Sequence, residues 1–269
     1  MNHNQGISPD AEIAGYSNIM QLLARLLILS LILLLGACAS VDKKTEWSAQ
    51  RYYQEAKTAL DNRDYETAIR YYEELKTAYP YGRHAEQADL DIIYAYYKGD
   101  EPESAIAAAD NFIKQHPRHP NVDYAYYLRG LASFSQGENF LNKTFNQDPT
   151  ERDPGHLRRS FTYFTELARK FPDSKYRPDA LQRMKYLLNS LARHEIHVAR
   201  FYMEREAWLA AVNRARYVVE HYQNTLSVAE ALDIMSRAYE HMGRQGLADD
   251  ARRVLRLNFP DYSAPKRRQ

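Results

Sequence analysis

Residues 49–82 read AQRYYQEAKTALDNRDYETAIRYYEELKTAYPYG, from Ala49 to Gly82, and this stretch decides the fold. Tyr65, Ala68, Ile69, Tyr72 and Leu75 recur at helical spacing and make one apolar stripe. Ala56 and Ala68 are the small residues that let two antiparallel helices approach closely. Pro80 follows the second helix because proline cannot continue one. The unit is therefore a helix pair, and one pair cannot bury its own stripe, so further copies are required.

A fixed interval of 12 residues finds them: Ala68 to Pro80, Ala105 to Pro117, Ser160 to Pro172, Ala211 to Gln223 and Ala248 to Pro260. Ala68 to Ala105 and Ala211 to Ala248 are each 37 residues apart, a helix-pair unit plus a short connection. The small, small, aromatic and proline positions resemble the 34-residue tetratricopeptide repeat. The resemblance implies an all-α superhelical solenoid of five repeats, with about ten to eleven helices, over residues 47–262. Two longer gaps carry extra sequence. Residues 138–154, with two prolines and several charges, interrupt the third pair. A further helix is expected over roughly Arg177 to Leu191, ahead of the fourth; no breaker interrupts 177–203, so one helix and two both fit.

Lysine plus arginine (36) nearly balances aspartate plus glutamate (35), which leaves no long-range field for nucleic acid. Tyrosine is abundant, at 22, and supplies apolar area with a hydrogen-bonding tip. The single cysteine, Cys38, follows an apolar run in Leu35-Gly36-Ala37-Cys38, which resembles a bacterial lipobox. The run from Leu26 to Leu35 is short of the roughly 20 residues a spanning helix needs and suits a signal-peptide core. An uncleaved anchor with an incidental cysteine is the alternative. Residues 1–19 fit no part of a signal peptide, whereas a start at Met20 makes Arg25 the basic flank. The expected organisation is an upstream segment 1–19, a signal peptide 20–37, a lipidated tether 38–46, the repeat domain, and a basic tail 263–269 with no assigned role. Ala39 and Ser40 follow the cysteine instead of the aspartate that retains many lipoproteins at the inner membrane, which implies the inner leaflet of the outer membrane, facing the periplasm. Each buried CH₂ of acyl chain adds about 0.8 kcal/mol, so several chains hold firmly.

By resemblance to ligand-binding repeats, the first helix of each pair lines a concave groove. The groove positions are Gln50, Tyr53, Lys57, Leu60 and Asp61 in the first repeat, Gln87, Leu90, Tyr94, Tyr97 and Lys98 in the second, and Tyr124, Tyr127, Leu131, Phe134 and Ser135 in the third. This half is aromatic. The same register gives Arg193, Ile196, Arg200, Met203 and Glu204, then Glu230, Asp233, Arg237, Glu240 and His241, which is mostly charged; two recognition surfaces are expected. Tyr72, Tyr96, Tyr202 and Tyr239 fall on positions the repeat packs internally. Tyr97 and Tyr127 neighbour such positions, and adjacent helical residues point about 100° apart, so core and binding both remain open for them. His194-Glu195-Ile196-His197 has one residue too few between its histidines for a zinc-protease helix, and no third ligand is apparent. With no phosphate-binding glycine loop and no nucleophile elbow, neither an enzyme, a metal nor any cofactor is expected.

The least generic segments resemble the BamD (ComL) family of lipoproteins of the outer-membrane β-barrel assembly machinery. They are Tyr79-Pro80-Tyr81-Gly82, Leu90 through Lys98, His119 through Tyr124 with Arg129-Gly130-Leu131, Arg152-Asp153-Pro154 with His156, Phe161 and Phe164, and Ala207-Trp208 through Val212-Asn213-Arg214. Gln223 departs from the pattern where a proline is usual, which would loosen the boundary of the last two repeats. The resemblance implies that the N-terminal repeats bind the aromatic-ended C-terminal signals of unfolded outer-membrane proteins. The residues so implied are Tyr53, Tyr81, Leu90, Tyr94, Tyr97, Tyr124, Tyr127, Leu131 and Phe134, with Arg83, Lys98 or Arg129 for the terminal carboxylate. It further implies docking of the C-terminal repeats on the last POTRA domain of the barrel subunit BamA through Trp208, Asn213 and Arg214, and association with other lipoproteins of the machinery. The competing reading is a periplasmic tetratricopeptide scaffold for peptidoglycan or cell-division enzymes.

Overall fold

The computed structural model describes residues 47–139 and 154–264, and nearly all the side chains within them. The expected signal peptide and tether, with Cys38, lie outside the described residues, as do most of the insertion and most of the basic tail. The chain divides into two units between Trp47 and Ser48.

Ten helices make up the described part of the second unit: α1 (Ala49–Asp61), α2 (Tyr65–Ala78), α3 (Arg83–Lys98), α4 (Pro102–Gln115), α5 (Val122–Asn139), α6 (Gly155–Lys170), α7 (Arg177–Glu204), α8 (Trp208–His221), α9 (Ser227–His241) and α10 (Gln245–Asn258). No strand occurs among the described residues. Odd-numbered helices open the repeats and even-numbered helices close them. Local chemistry sets their ends. The Ser48 hydroxyl accepts from the Arg51 N–H at 3.3 Å and the Asp64 carboxylate from the Thr67 N–H at 3.1 Å, so both caps satisfy donors that a helix start leaves free. Every closing helix ends on an aromatic or imidazole residue, Tyr79, His116, Phe171, Tyr222 or Phe259, whose N–H donates to the carbonyl four residues back. At four of these the next residue is proline, which excludes the helical conformation before it. At Gln223 the turn closes in the same way, with the Thr225 N–H on the Tyr222 carbonyl at 3.1 Å.

Ala68, Ala105, Ser160, Ala211 and Ala248, the residues that fixed the interval, are all fully buried at the helix crossings. The partner helices offer Ala56, Ile93, Ala199 and Ser236 there. In the third pair the partner is Gly130, where an added Cβ would lie 2.6 Å from the Phe164 ring. Ser160 donates to the Gly130 carbonyl at 3.1 Å, so α5 and α6 pair closely despite the insertion. A left-handed residue recurs in the turn inside each of the other pairs, at Arg63, Asp100, Glu206 and Gly243, with φ between 59° and 68°.

Residues 177–204 form one helix, α7, in which the expected extra helix and the opening helix of the fourth repeat are fused. Its N-terminal half buries Ala180, Leu187 and Leu191 in a core that runs without a break from Leu90 to Ile234. The array ends by charge: α10 carries Asp249, Arg252 and Arg256 where α8 buries Val212 and Ala215 and half-buries Val219. Among the described residues no helix is long and apolar enough to cross a membrane.

Candidate functional site

The polar centre of the first two repeats is Asp91, on α3. Its carboxylate accepts from the Tyr53 hydroxyl at 2.9 Å, the Tyr72 hydroxyl at 3.0 Å and the Gln87 amide at 2.9 Å. Burial, reinforced by the Asp91 charge, holds both tyrosine hydroxyls far above the ordinary range, so they stay protonated and donate. The tie fixes α3 against α1 and α2.

Beside it opens a pocket of about 730 Å³ lined by Lys57, Leu60, Asp61, Arg63, Tyr65, Asp91, Tyr94, Lys98 and Tyr124. Its charges sort into engaged and free. Asp91 is committed to its three donors, and Asp61 takes Lys57 at 2.9 Å, which raises the lysine. Neither Arg63 nor Lys98 pairs with a carboxylate among the described residues. Two cations without a carboxylate partner therefore share the lining with Leu60, Tyr65, Tyr94 and Tyr124, a combination that accepts an anionic group joined to an apolar one.

Tyr94, Lys98 and Tyr124 thus line the pocket as the repeat register places them, and Tyr53 braces its wall through Asp91. Tyr97 is half-buried, with the Lys98 ammonium 6.0 Å from its ring centre. An aromatic ladder continues from Tyr124: Tyr176 stacks on it at 5.2 Å and on Tyr127 at 4.7 Å. The Tyr127 hydroxyl donates to Asp179 at 2.7 Å, and burial together with that bond pushes it up to about 12. Burial opposes ionisation of Asp179, but the bonds from Arg183 and Tyr127 outweigh it and hold the carboxyl below its usual range.

Four expected groove residues are corrected. Leu90, Leu131 and Phe134 are core, at 1%, 7% and 9% exposure. Phe134 is covered by Arg183, 5.0 Å from its ring centre, and by Tyr186 at 5.7 Å, both from the N-terminal half of α7. Arg129 is also buried, between the rings of Tyr126 and Tyr163 and in ion pairs with Asp110 and Glu166 at 2.5 Å each. It is spent on holding α4, α5 and α6 together and is not free for a terminal carboxylate. Tyr81, 91% exposed, stands on the turn into α3 and Arg83 is the first residue of that helix; neither lines the pocket. The residues the sequence reading missed are Arg63, Asp91, Tyr176 and Arg183; a lone aspartate within Leu90-Asp91-Ile92 was the one visible signal. Tyr72 is fully buried, and Tyr96, Tyr202 and Tyr239 are half-buried.

In the C-terminal repeats most of the charges at the expected groove positions are engaged internally. Arg200 bonds Glu230 at 2.6 Å, Arg237 pairs with Asp233 at 2.8 Å, and Arg252 pairs with Glu240. Ile196 is core at 2% exposure. The Tyr262 hydroxyl is buried in the field of these groups, and burial followed by Asp233 and Glu230 pushes it up to about 12. The expected docking residues lie on α8. Trp208 stacks on His241 at 4.1 Å, Asn213 accepts from Arg216, and Arg214 reaches Glu195 at 3.2 Å.

Residues 45–255 match the family model YfiO, described as an outer membrane lipoprotein. A Neisseria meningitidis protein named outer membrane protein assembly factor BamD is 47% identical over 242 residues, covering 87% of this chain and 91% of its own length. Proteins of the same name from Vibrio cholerae and Haemophilus influenzae are 37% and 36% identical, covering 86% and 91% of this chain and 96% and 94% of themselves. A solved structure of kinesin light chain tetratricopeptide-like repeats from Podosopora anserina aligns over 77% of this chain and 92% of its own at 13% identity and a TM-score of 0.34. With a family model over most of the repeat array and relatives this similar along nearly their whole length, the chain belongs to the YfiO family of outer membrane lipoproteins, whose curated relatives are BamD assembly factors.

Proposed function

We propose that this chain is a non-catalytic assembly factor for outer-membrane proteins, a BamD-type subunit of the β-barrel assembly complex. The N-terminal repeats receive the C-terminal signal of an unfolded outer-membrane protein. The observation that carries this reading is the pocket over α1, α3 and α5, with Tyr94, Tyr124 and Leu60 to take an aromatic side chain and the free cations Arg63 and Lys98 to take a terminal carboxylate. The C-terminal repeats dock the barrel subunit through α8, at Trp208, Asn213 and Arg214. Cys38 carries the lipid that anchors the chain to the inner leaflet of the outer membrane, with the repeats in the periplasm. No bound cofactor, nucleic acid or covalent chemistry enters this mechanism; it consists of recognition and hand-over.

The test is affinity purification of the tagged, lipidated chain from detergent-solubilised outer membranes. The large barrel subunit and companion lipoproteins are expected with wild type. Recovery of peptidoglycan or division enzymes without any barrel protein would establish the scaffold reading instead.

A further inference from the structure

The turns that join each of the first three repeats to its successor lie on one edge of the array, because short connections make neighbouring helices antiparallel. Side chains tie these turns together. Asp89 pairs with Lys76 at 2.5 Å and with His116 at 3.8 Å, Glu86 with His119 at 3.8 Å, and Asp123 accepts from the Ser174 hydroxyl at 2.6 Å. The start of α1 belongs to the same edge, since the Tyr53 ring centre lies 5.5 Å from that of His84 at the start of α3.

These ties occupy the acids of the edge and leave bases over. Across 76–89, 114–123 and 169–177 the acids are Glu86, Asp89, Asp123 and Asp173, and the first three are the ones engaged. Arg83, Lys114, Arg118, Arg169 and Lys175 are exposed there and make no ion pair among the described residues. Tyr81, 91% exposed, stands beside Arg83. Amphipathic rings next to unpaired cations match the aromatic and basic belt of a membrane–water interface. The opposite edge has the reverse sign: 61–64 and 99–103 carry Asp61, Asp64, Asp100, Glu101 and Glu103, with Arg63 as the one base.

The chain also enters the array at the basic edge, through Ser48. The nine residues 38–46 span at most about 30 Å, and the 14 residues of α2 alone measure about 21 Å. A short tether fixed at this edge keeps it the nearer of the two to whatever holds Cys38.

We infer that, given the reading that Cys38 carries a membrane lipid, the edge bearing Tyr81, Arg83, Arg118 and Lys175 lies against an anionic phospholipid surface. The lipid holds the chain and the edge orients it. Arg63, Tyr65 and Lys98 of the pocket stand at the opposite edge and are thereby kept away from the membrane.

The test is sedimentation of the full mature chain with vesicles of phosphatidylethanolamine containing about one-quarter phosphatidylglycerol, or with phosphatidylcholine vesicles. In Cys38→Ser, where no acyl chain acts, partitioning to the anionic vesicles is expected to exceed that to phosphatidylcholine and to fall as salt is raised. Each cation near an anionic surface strengthens partitioning about fivefold, so adding Arg83→Gln, Arg118→Gln and Lys175→Gln together brings it down to the phosphatidylcholine level. The three side chains are exposed and unpaired, so this variant retains the wild-type melting temperature. Arg205→Gln with Arg244→Gln, in turns inside the last two pairs, leaves partitioning unchanged. Equal partitioning of Cys38→Ser to the two vesicles, or an unaffected triple variant, overturns the membrane edge. The acylated wild-type chain is expected on both vesicles whatever the edge does, and its absence from phosphatidylcholine overturns the lipid reading alone.

Discussion

Replacing Asp91 separates the stability of the first two repeats from their affinity, because the same carboxylate serves both. In the folded chain it accepts three hydrogen bonds, and Tyr72, one of the donors, is fully buried. In Asp91→Ala the half-buried Tyr53 and Gln87 recover much of their bonding from water. The Tyr72 hydroxyl cannot, and stranding such a donor costs about 1–3 kcal/mol; with the other two charge-assisted bonds the loss comes to about 3 kcal/mol. Asp91→Asn keeps an acceptor and removes the charge, at a cost of about 1 kcal/mol, and Tyr72→Phe removes the donor at a similar cost. Urea unfolding followed by circular dichroism reads all three. Asp91 also lines the pocket beside the unpaired Arg63 and Lys98, so removing its negative charge strengthens the field that a carboxylate ligand meets. Asp91→Asn is therefore expected to be less stable than wild type and to bind an anionic peptide more tightly. An Asp91→Ala midpoint equivalent to less than about 0.5 kcal/mol of change would refute the bonding argument. Weaker peptide binding by a well-folded Asp91→Asn would refute the electrostatic one.

Other expected outcomes follow from separate parts of the molecule. Gly130→Ala places a methyl 2.6 Å from the Phe164 ring; overpacking costs about 1–3 kcal/mol, partly offset by about 1 kcal/mol of helix propensity, so the unfolding midpoint falls modestly and that of Gly130→Val falls further. Burial opposes ionisation of Glu166, yet the hydrogen bonds from Lys170 and Arg129 prevail and hold its carboxyl below the ordinary 4.5. A depressed value contributes stability that is present above the unfolded value and lost as pH falls through the folded one. The melting temperature is thus expected to drop below about pH 4.5 in wild type and to drop less steeply in Arg129→Met, where one of the two bonds is gone. If Cys38 carries the proposed lipid, Cys38→Ser removes the acylation site, and membrane fractionation should show the protein lost from the outer membrane.

The repeat array was legible because close packing leaves a strict mark: a crossing that admits only Ala68 or Ser160 repeats wherever the crossing repeats. The turns inside the pairs were not legible from glycine, since Arg63, Asp100 and Glu206 take the left-handed conformation that Gly243 takes in the last repeat. At its open end the groove register falls on residues that line the pocket, and at its middle it falls on buried ones. Repeat numbering puts Leu131 and Phe134 on the concave face, but Arg183 and Tyr186 of α7 lie over Phe134 and bury it. No pattern within a repeat announces what a neighbouring helix covers. Arg129 misled for a related reason: a charged residue in an aromatic helix reads as a surface cation, and only the positions of Asp110, Glu166, Tyr126 and Tyr163 show that it is an internal tie. Arg214 stands between the two cases, bonded inward to Glu195 and still half exposed.

The most direct test of the central claim is the affinity of the chain for a synthetic peptide ending in phenylalanine, compared with the same peptide amidated at its C-terminus, for wild type and for Lys98→Ala. If the pocket reads an aromatic residue and its terminal carboxylate together, the free acid binds wild type about tenfold more tightly than the amide, a difference worth about 1.4 kcal/mol. Lys98→Ala should erase most of that difference and leave amide binding unchanged. Equal affinity of acid and amide for wild type, or a difference undiminished in Lys98→Ala, would contradict the account.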